Sequence, residues 1–250
     1  LGNTVITDIS AYNNQFTPAG TVHATNFSPY TPGYYSNYFN GSSSYLNLTG
    51  SSPALGTNNF TIELWAYINA AVSSAAVFFD MRASTAAVAP VIQMYTSNIL
   101  YYSVGSSNQI TGPALSFNTW YHIAVSRVSG STYMFLNGVQ VGSTYADSNN
   151  YVTQTNRPLL GSYGDTVAAR FNGYLTNVRV INGTGLYSSN FTPPTAPLTA
   201  IANTALLTCQ NSTFIDNSTN AFTITPGSTT VKPIAVSPFT PNSYTGTQVA

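Results

Sequence analysis

The chain has 250 residues, six basic and six acidic side chains, zero net charge and 13% aromatic residues. At 5% charged residues, against roughly 25% in an ordinary soluble domain, it lacks the clustered Lys and Arg that a nucleic-acid partner requires, and its aromatic content is the reverse of a disordered composition. No apolar stretch approaches the about 18 residues of a spanning helix, which excludes insertion in a membrane by helices.

In chain order the pattern is β. Tyr45–Leu48 is a short apolar run, and Phe60–Ile68 alternates with Phe60, Ile62, Leu64, Ala66 and Ile68 on one face, a period of two. Similar runs follow at Val77–Met81, Val91–Tyr95, Ile99–Val104, Trp120–Val128, Thr132–Leu136, Val139–Val141, Pro158–Leu160 and Tyr174–Ile181. Turn signals stand between runs at Asn40-Gly41, Ser129-Gly130, Asn137-Gly138, Asn172-Gly173 and Asn182-Gly183. Asn137-Gly138 predicts a tight hairpin, because a type I′ turn needs two positive φ angles. No segment carries a helical stripe. Many short strands at close spacing imply a β-sandwich or barrel.

The two ends of the chain resemble each other. Asp8-x-Ser10, Phe16-Thr17 and Ser28-Pro29-Tyr30-Thr31-Pro32 recur in the same order as Asp216-x-Ser218, Phe222-Thr223 and Ser237-Pro238-Phe239-Thr240-Pro241. One reading is a tandem array whose next unit begins near Ala205; the other is an internal duplication with both copies packed on one sandwich. The expected division is a domain over residues 1–196 and a C-terminal segment over 197–250 that repeats the opening strands.

Five segments carry a family resemblance: Asp8–Asn14, Tyr38–Leu46, Phe60–Ile68, Trp120–Arg127 with Tyr133–Val139, and Phe171–Val180. Their order and spacing resemble the laminin G-like, concanavalin A-like jelly rolls, over about residues 1–195. The resemblance implies an all-β, two-sheet antiparallel jelly-roll sandwich. The texture and the junction around Leu206–Gln210 are similar to the tandem type of tailed viruses of marine cyanobacteria. That implies a non-enzymatic virion-surface protein (tail fibre, appendage or capsid decoration) that assembles with copies of itself or neighbouring virion proteins and binds host-surface glycans. Alternatives are a calcium-dependent extracellular carbohydrate-binding module of a bacterial surface protein and a self-assembling extracellular filament subunit.

Chemistry is sparse. Glycoside hydrolysis needs two carboxylates flanking the bond, but Glu63 is the sole glutamate and the five aspartates are scattered, so no catalytic residue is nominated. His122 reads as a satisfied sheet histidine, His23 has no neighbouring acid, and Cys209 reads as a buried strand residue. Trp65 and Trp120 fall in strand motifs expected to build the core. The candidate glycan-binding residues are Tyr145, Asn149, Asn150, Tyr151, Gln154 and Tyr163, loop side chains expected to share one edge. No cofactor is required; calcium is a candidate ligand of Asp80, Asp147 and Asp165, whose oxygens suit it, although Asp and Asn are also ordinary turn formers. Phe214, Ile215, Phe222 and Ile224 are the candidate assembly residues, which a C-terminal strand donated to a neighbour would bury. With few charges to screen, contacts of this surface are expected to depend little on salt.

Overall fold

The alternating run Phe60–Ile68 forms a central strand, with all five of its apolar face residues in one buried core. The computed structural model describes residues 34–50, 52–70, 75–95, 97–152, 154–163, 169–228 and 230–239. The first copy of the repeated pattern lies outside these residues, as do Asp165, Thr240 and Pro241.

The strands in order are β1 (Ser36–Asn40), β2 (Leu46–Thr49), β3 (Phe60–Ile68), β4 (Ala75–Asp80) and β5 (Pro90–Tyr95). Then come β6 (Ile99–Val104), β7 (Ser107–Ala114), β8 (Trp120–Val128), β9 (Ser131–Leu136) and β10 (Val139–Ala146). The last five are β11 (Leu159–Leu160), β12 (Asn172–Asn182), β13 (Thr204–Thr208), β14 (Thr223–Pro226) and β15 (Lys232–Ile234). Among the described residues there is no helix, and two antiparallel sheets form the sandwich. One runs β10-β9-β8-β3-β12-β1-β15, with β13 also on β12; the other runs β14-β2-β11-β4-β5-β6-β7. Between them lie Ile62, Leu64, Ile123, Val125, Leu175 and Val180 from the first sheet and Phe78, Ile92, Met94, Leu100 and Tyr102 from the second.

The hairpin at Asn137-Gly138 forms as predicted, with φ of 50° and 78°. The Asn137 side chain accepts the His122 N–H at 2.9 Å. A side chain at Gly138 would run into the Phe191 carbonyl, so the position tolerates glycine alone on two counts.

Two bulges decide which side chains reach which face. Thr176 pairs with Trp65 and Arg179 with Glu63, so β12 holds one extra residue, and Asn177 sits there at φ 52°. Its core face thereby passes from Leu175 to Val178 and Val180, while Arg179 turns outward opposite Glu63. In β4 the extra residue falls between Val77 and Phe79. Phe78 and Phe79 both enter the core, and Asp80 pairs with Val91 on the outer face.

The expected division at residue 196–197 has no counterpart in the sheets. β13 pairs with β12, β14 with β2 and β15 with β1. The segment beyond Pro197 therefore extends both sheets of the same sandwich. This corrects the donated-strand expectation for Phe214, Ile215, Phe222 and Ile224. Ile224 is in the chain's own core, Phe214 and Phe222 pack against that core, and Ile215 is exposed.

Candidate functional site

The loop residues singled out by the sequence come together incompletely. Asn149 donates its amide to Tyr145 Oη at 2.9 Å and to Asp147 Oδ1 at 2.9 Å. Tyr151 donates to Asp147 Oδ2 at 2.8 Å and lies 3.2 Å from Tyr102 Oη. This group is not an open rim: Tyr151 is 1% exposed. Behind it stands Arg127, also 1% exposed, which shares the core-facing side of β8 with Ile123 and Val125. Its guanidinium lies between the Phe60 and Tyr151 rings, 4.9 and 4.8 Å from their centroids. It donates to the carbonyls of Gly56, Asn58 and Asn149 at 2.6–2.9 Å and sits 3.4 Å from Asp147 Oδ1. Tyr151 is thus a packing residue, and burial pushes its phenol far above the ordinary range. Asn150 is exposed, and Gln154, partly exposed, donates to the Val152 carbonyl.

Of the carboxylates proposed for calcium, Asp80 and Asp147 do not fit that ion, and Asp165 lies outside the described residues. Asp80 is fully buried and paired with Arg82 at 3.0 Å. Asp147 takes donors from Thr132, Tyr151 and Asn149 beside Arg127. In each pair the guanidinium already cancels the negative charge that a divalent cation would need. Among the described residues no three His, Cys, Asp or Glu side chains form a group able to hold a metal.

The other acids among the described residues are also committed to packing. Glu63, on the outer face of β3, takes two hydrogen bonds from Arg179 at 2.6 and 2.9 Å and lies 3.1 Å from both His122 Nε2 and Tyr187 Oη. Burial pulls its pKa up, but the His122 hydrogen bond and the Arg179 charge outweigh this and hold it below the ordinary value. Asp216 receives only backbone N–H groups and the Ser218 hydroxyl. Cys209 is buried, which pushes its thiol up to about 12, so it is no thiolate at neutral pH.

Trp65 and Trp120 stand on the outer face of their sheet, opposite in phase to the core residues of β3 and β8, which corrects their expected place in the core. Trp65 lies under Phe239, edge-on at 5.4 Å. Trp120 opens a row that crosses four adjacent strands: Trp120 to Tyr67 at 5.4 Å, Tyr67 to Tyr174 at 5.8 Å, and Tyr174 to Tyr38 at 5.3 Å. All four are partly exposed.

Tyr163 lies in the loop that follows β11 of the second sheet. Its ring lies 5.0 Å from the Arg82 guanidinium, and burial and a hydrogen bond with Tyr95 push its phenol up to about 12. Tyr95 meets Tyr101 edge-on at 5.1 Å. These rings share the outer face with Gln93, since Ile92, Met94, Leu100 and Tyr102 alternate with them into the core. Gln93 donates to Tyr95 Oη at 3.1 Å and to Ser103 Oγ at 2.8 Å, and Ser103 donates to Asn108. Gln93 is 1% exposed, yet its Oε1 has no partner. Half-exposed rings thus flank an amide with an unused acceptor, with Asn108 and Thr111 exposed beside them on β7. Of this group the sequence singles out Tyr163 alone, because Gln93, Tyr95 and Tyr101 sit inside strands; the available signal for them is a polar residue in phase with two tyrosines on paired runs.

The profile of the concanavalin A-like lectin/glucanases superfamily, in its laminin G-like branch, matches residues 40–184, more than half of the chain. No curated protein sequence matches. Among solved structures, the chain is similar to a protein of Bacteroides ovatus described as carbohydrate binding, with TM-score 0.58 and 15% identity over 82% of this chain and 61% of that one. It therefore spans 61% of that protein's length. It is also similar to the heptameric SAP-like pentraxin of Limulus polyphemus, with TM-score 0.50 and 16% identity over 66% of this chain and 80% of that one. Domains LG4-5 of the mouse laminin alpha1 chain match with TM-score 0.46 and 18% identity over 64% and 44%.

Proposed function

The chain belongs to the concanavalin A-like lectin/glucanases superfamily, and from that premise we propose that it is a non-enzymatic adhesion module of a virion surface that binds host-cell glycans. The observation that carries the glycan reading is the group Gln93, Tyr95, Tyr101 and Tyr163. Sugars offer apolar C–H faces to aromatic rings and hydroxyls to amides, and the unpaired Gln93 Oε1 is an acceptor for a hydroxyl that water or a ligand must otherwise supply. The Bacteroides ovatus protein, described as carbohydrate binding, supports the same class of ligand. The non-enzymatic character rests on the described acids, each committed to an arginine, a histidine or backbone amides.

A glycan array followed by calorimetry tests this. Wild type binds one glycan class, with little change between low and high salt. Tyr101→Ala and Tyr95→Ala each weaken binding by about tenfold or more, as loss of an aromatic anchor does, with Tm unchanged within a few degrees. No binding at millimolar sugar, or unchanged affinity in both variants, overturns the reading.

The aromatic row favours a second role, assembly with copies of itself. Four partly exposed rings in line, ending in register with Lys232, give a contact strip on a molecule whose zero net charge offers little repulsion. Sedimentation of wild type is expected to show concentration-dependent association that Tyr67→Ser with Tyr174→Ser abolishes. A wild type that stays monomeric at high concentration overturns this role.

A further inference from the structure

Trp65 and His122 face each other across β3 and β8 as a registered pair on the outer face, with ring centroids 5.2 Å apart. Each carries a buried nitrogen with no hydrogen-bond partner, Trp65 Nε1 and His122 Nδ1. His122 is thus satisfied on one side only, through Nε2 to Glu63 at 3.1 Å. Glu63, held below its ordinary pKa, is a carboxylate at neutral pH and can only accept, so Nε2 carries the proton. In the neutral ring this leaves Nδ1 an acceptor beside the indole donor. A buried donor next to a buried acceptor, both unused, is the complement of a hydroxyl group, which donates and accepts at once.

The two rings are covered differently. Over His122 lies Phe191, edge-on at 5.7 Å. It is fixed by its N–H to the Gly138 carbonyl at 2.9 Å, by Asn190 Oδ1 accepting the Gln140 N–H at 2.9 Å, and by stacking on Tyr187 at 3.7 Å. Over Trp65 lies Phe239, edge-on at 5.4 Å and 6% exposed. Little holds it: Ser237 Oγ accepts its N–H at 3.2 Å, and β15 before it is a three-residue edge strand whose Pro233 has no N–H to give. Phe191 is a wall, and Phe239 is a lid. We infer that Trp65 and His122 form a second sugar site, in which the Phe239 ring holds the place of a neutral sugar ring. The C–H face of the sugar would lie on the indole, and one of its hydroxyls would bridge Trp65 Nε1 and His122 Nδ1. The ligand is neutral because Arg179, the cation beside this pair, is already spent on Glu63. Tyr67 and Trp120, two residues along the same strands and partly exposed, continue the surface outward. The inference rests on the glycan reading for its ligand class, but its seat is on the sheet opposite Gln93.

The test uses the full chain carrying Tyr95→Ala and Tyr101→Ala, with and without Phe239→Ala, titrated with methyl glucoside, methyl galactoside and N-acetylglucosamine at millimolar concentrations. The chain has two tryptophans, so Trp120→Phe assigns the indole N–H resonances in a nitrogen-15 spectrum. At least one sugar should move the Trp65 indole resonance saturably in the Phe239→Ala chain, with affinity about tenfold or more above the chain that keeps its lid. In calorimetry, adding Trp65→Phe, which keeps a ring but removes the donor, should erase most of that gain. A Trp65 resonance that no sugar moves, equal affinity with and without Phe239, or a gain that survives Trp65→Phe overturns the inference. Where Phe239→Ala does not melt cooperatively, Phe239→Leu, which keeps an apolar cover, is titrated in its place and judged by the same results. Tyr95 and Tyr101 are absent from every chain used, so failure here leaves the binding predicted for the Gln93 group standing, and failure of that group leaves this result standing.

Discussion

Glu63→Gln is expected to destabilise the domain by about 3–5 kcal/mol, the cost of leaving a buried ion-pair partner uncompensated, or on the order of 10 °C in Tm at this size. The substitution preserves shape but removes the charge facing Arg179, which is only 6% exposed and whose remaining partner is the Thr199 carbonyl. Replacing both partners, as Glu63→Leu with Arg179→Met, should recover most of the loss, because an apolar pair of similar volume carries no unpaired charge. The pH dependence has a definite sign. The folded carboxyl lies below its ordinary value of 4.5, raised by burial but lowered further by His122 and Arg179. Its contribution is therefore present above pH 4.5 and fades as pH falls through the lower folded value. Urea midpoints measured across that range should fall for wild type and lose this acid limb in Glu63→Gln. A variant as stable as wild type at pH 7 would show that Arg179 finds other compensation.

Arg127→Met should cost a similar about 3–5 kcal/mol, for a different reason. Methionine can fill the slot between Phe60 and Tyr151, so the loss isolates the guanidinium. Without it the Asn58 and Asn149 carbonyls lose these donors, the Gly56 carbonyl is left with the Tyr151 N–H alone, and Asp147 loses its counter-charge. Arg127→Lys keeps the charge but not the planar fork, and one ammonium cannot reach these divergent carbonyls. It should fall between wild type and Arg127→Met in thermal melts. If lysine fully restores Tm, charge alone is what the site needs.

The sandwich itself is legible from sequence where one face of a strand is buried. Phe60–Ile68 shows this best, because period-two alternation is what a half-buried pleat imposes. β7 is not legible: its sequence is polar, carries Gly112 and Pro113, and sends Ile110 into the core from an edge position. Edge strands need little apolar content, so they leave little pattern. The bulge at Asn177 is hidden for a related reason, since Leu175 and Val178 break the alternation that marks a strand. Among functional candidates, Tyr145, Asp147, Asn149 and Tyr151 do form one cluster, because short spacing in a loop brings side chains together. Their burial is not visible in the loop sequence. It depends on Arg127, whose phase with Ile123 and Val125 puts a charged residue on the apolar face. Gln93 is hidden for the opposite reason, as a polar residue among strand tyrosines whose role is set by strands brought into register across the sheet.

The pairing of β1 with β15 has a mechanical consequence. Ser36 lies opposite Ile234, and Tyr38 opposite Lys232, so the first and last strands of the described residues start and end at adjacent points of one ladder. Tension between residues 34 and 239 meets the Phe239–Trp65 contact and then the Ser36–Ile234 pair, and draws the two strands apart crosswise. Bonds loaded in that direction break in succession rather than sharing the force. β15 is consequently the yielding strand of the described residues: under strain it opens first, while β3 and β8, which pair with neither β1 nor β15, keep the interior intact.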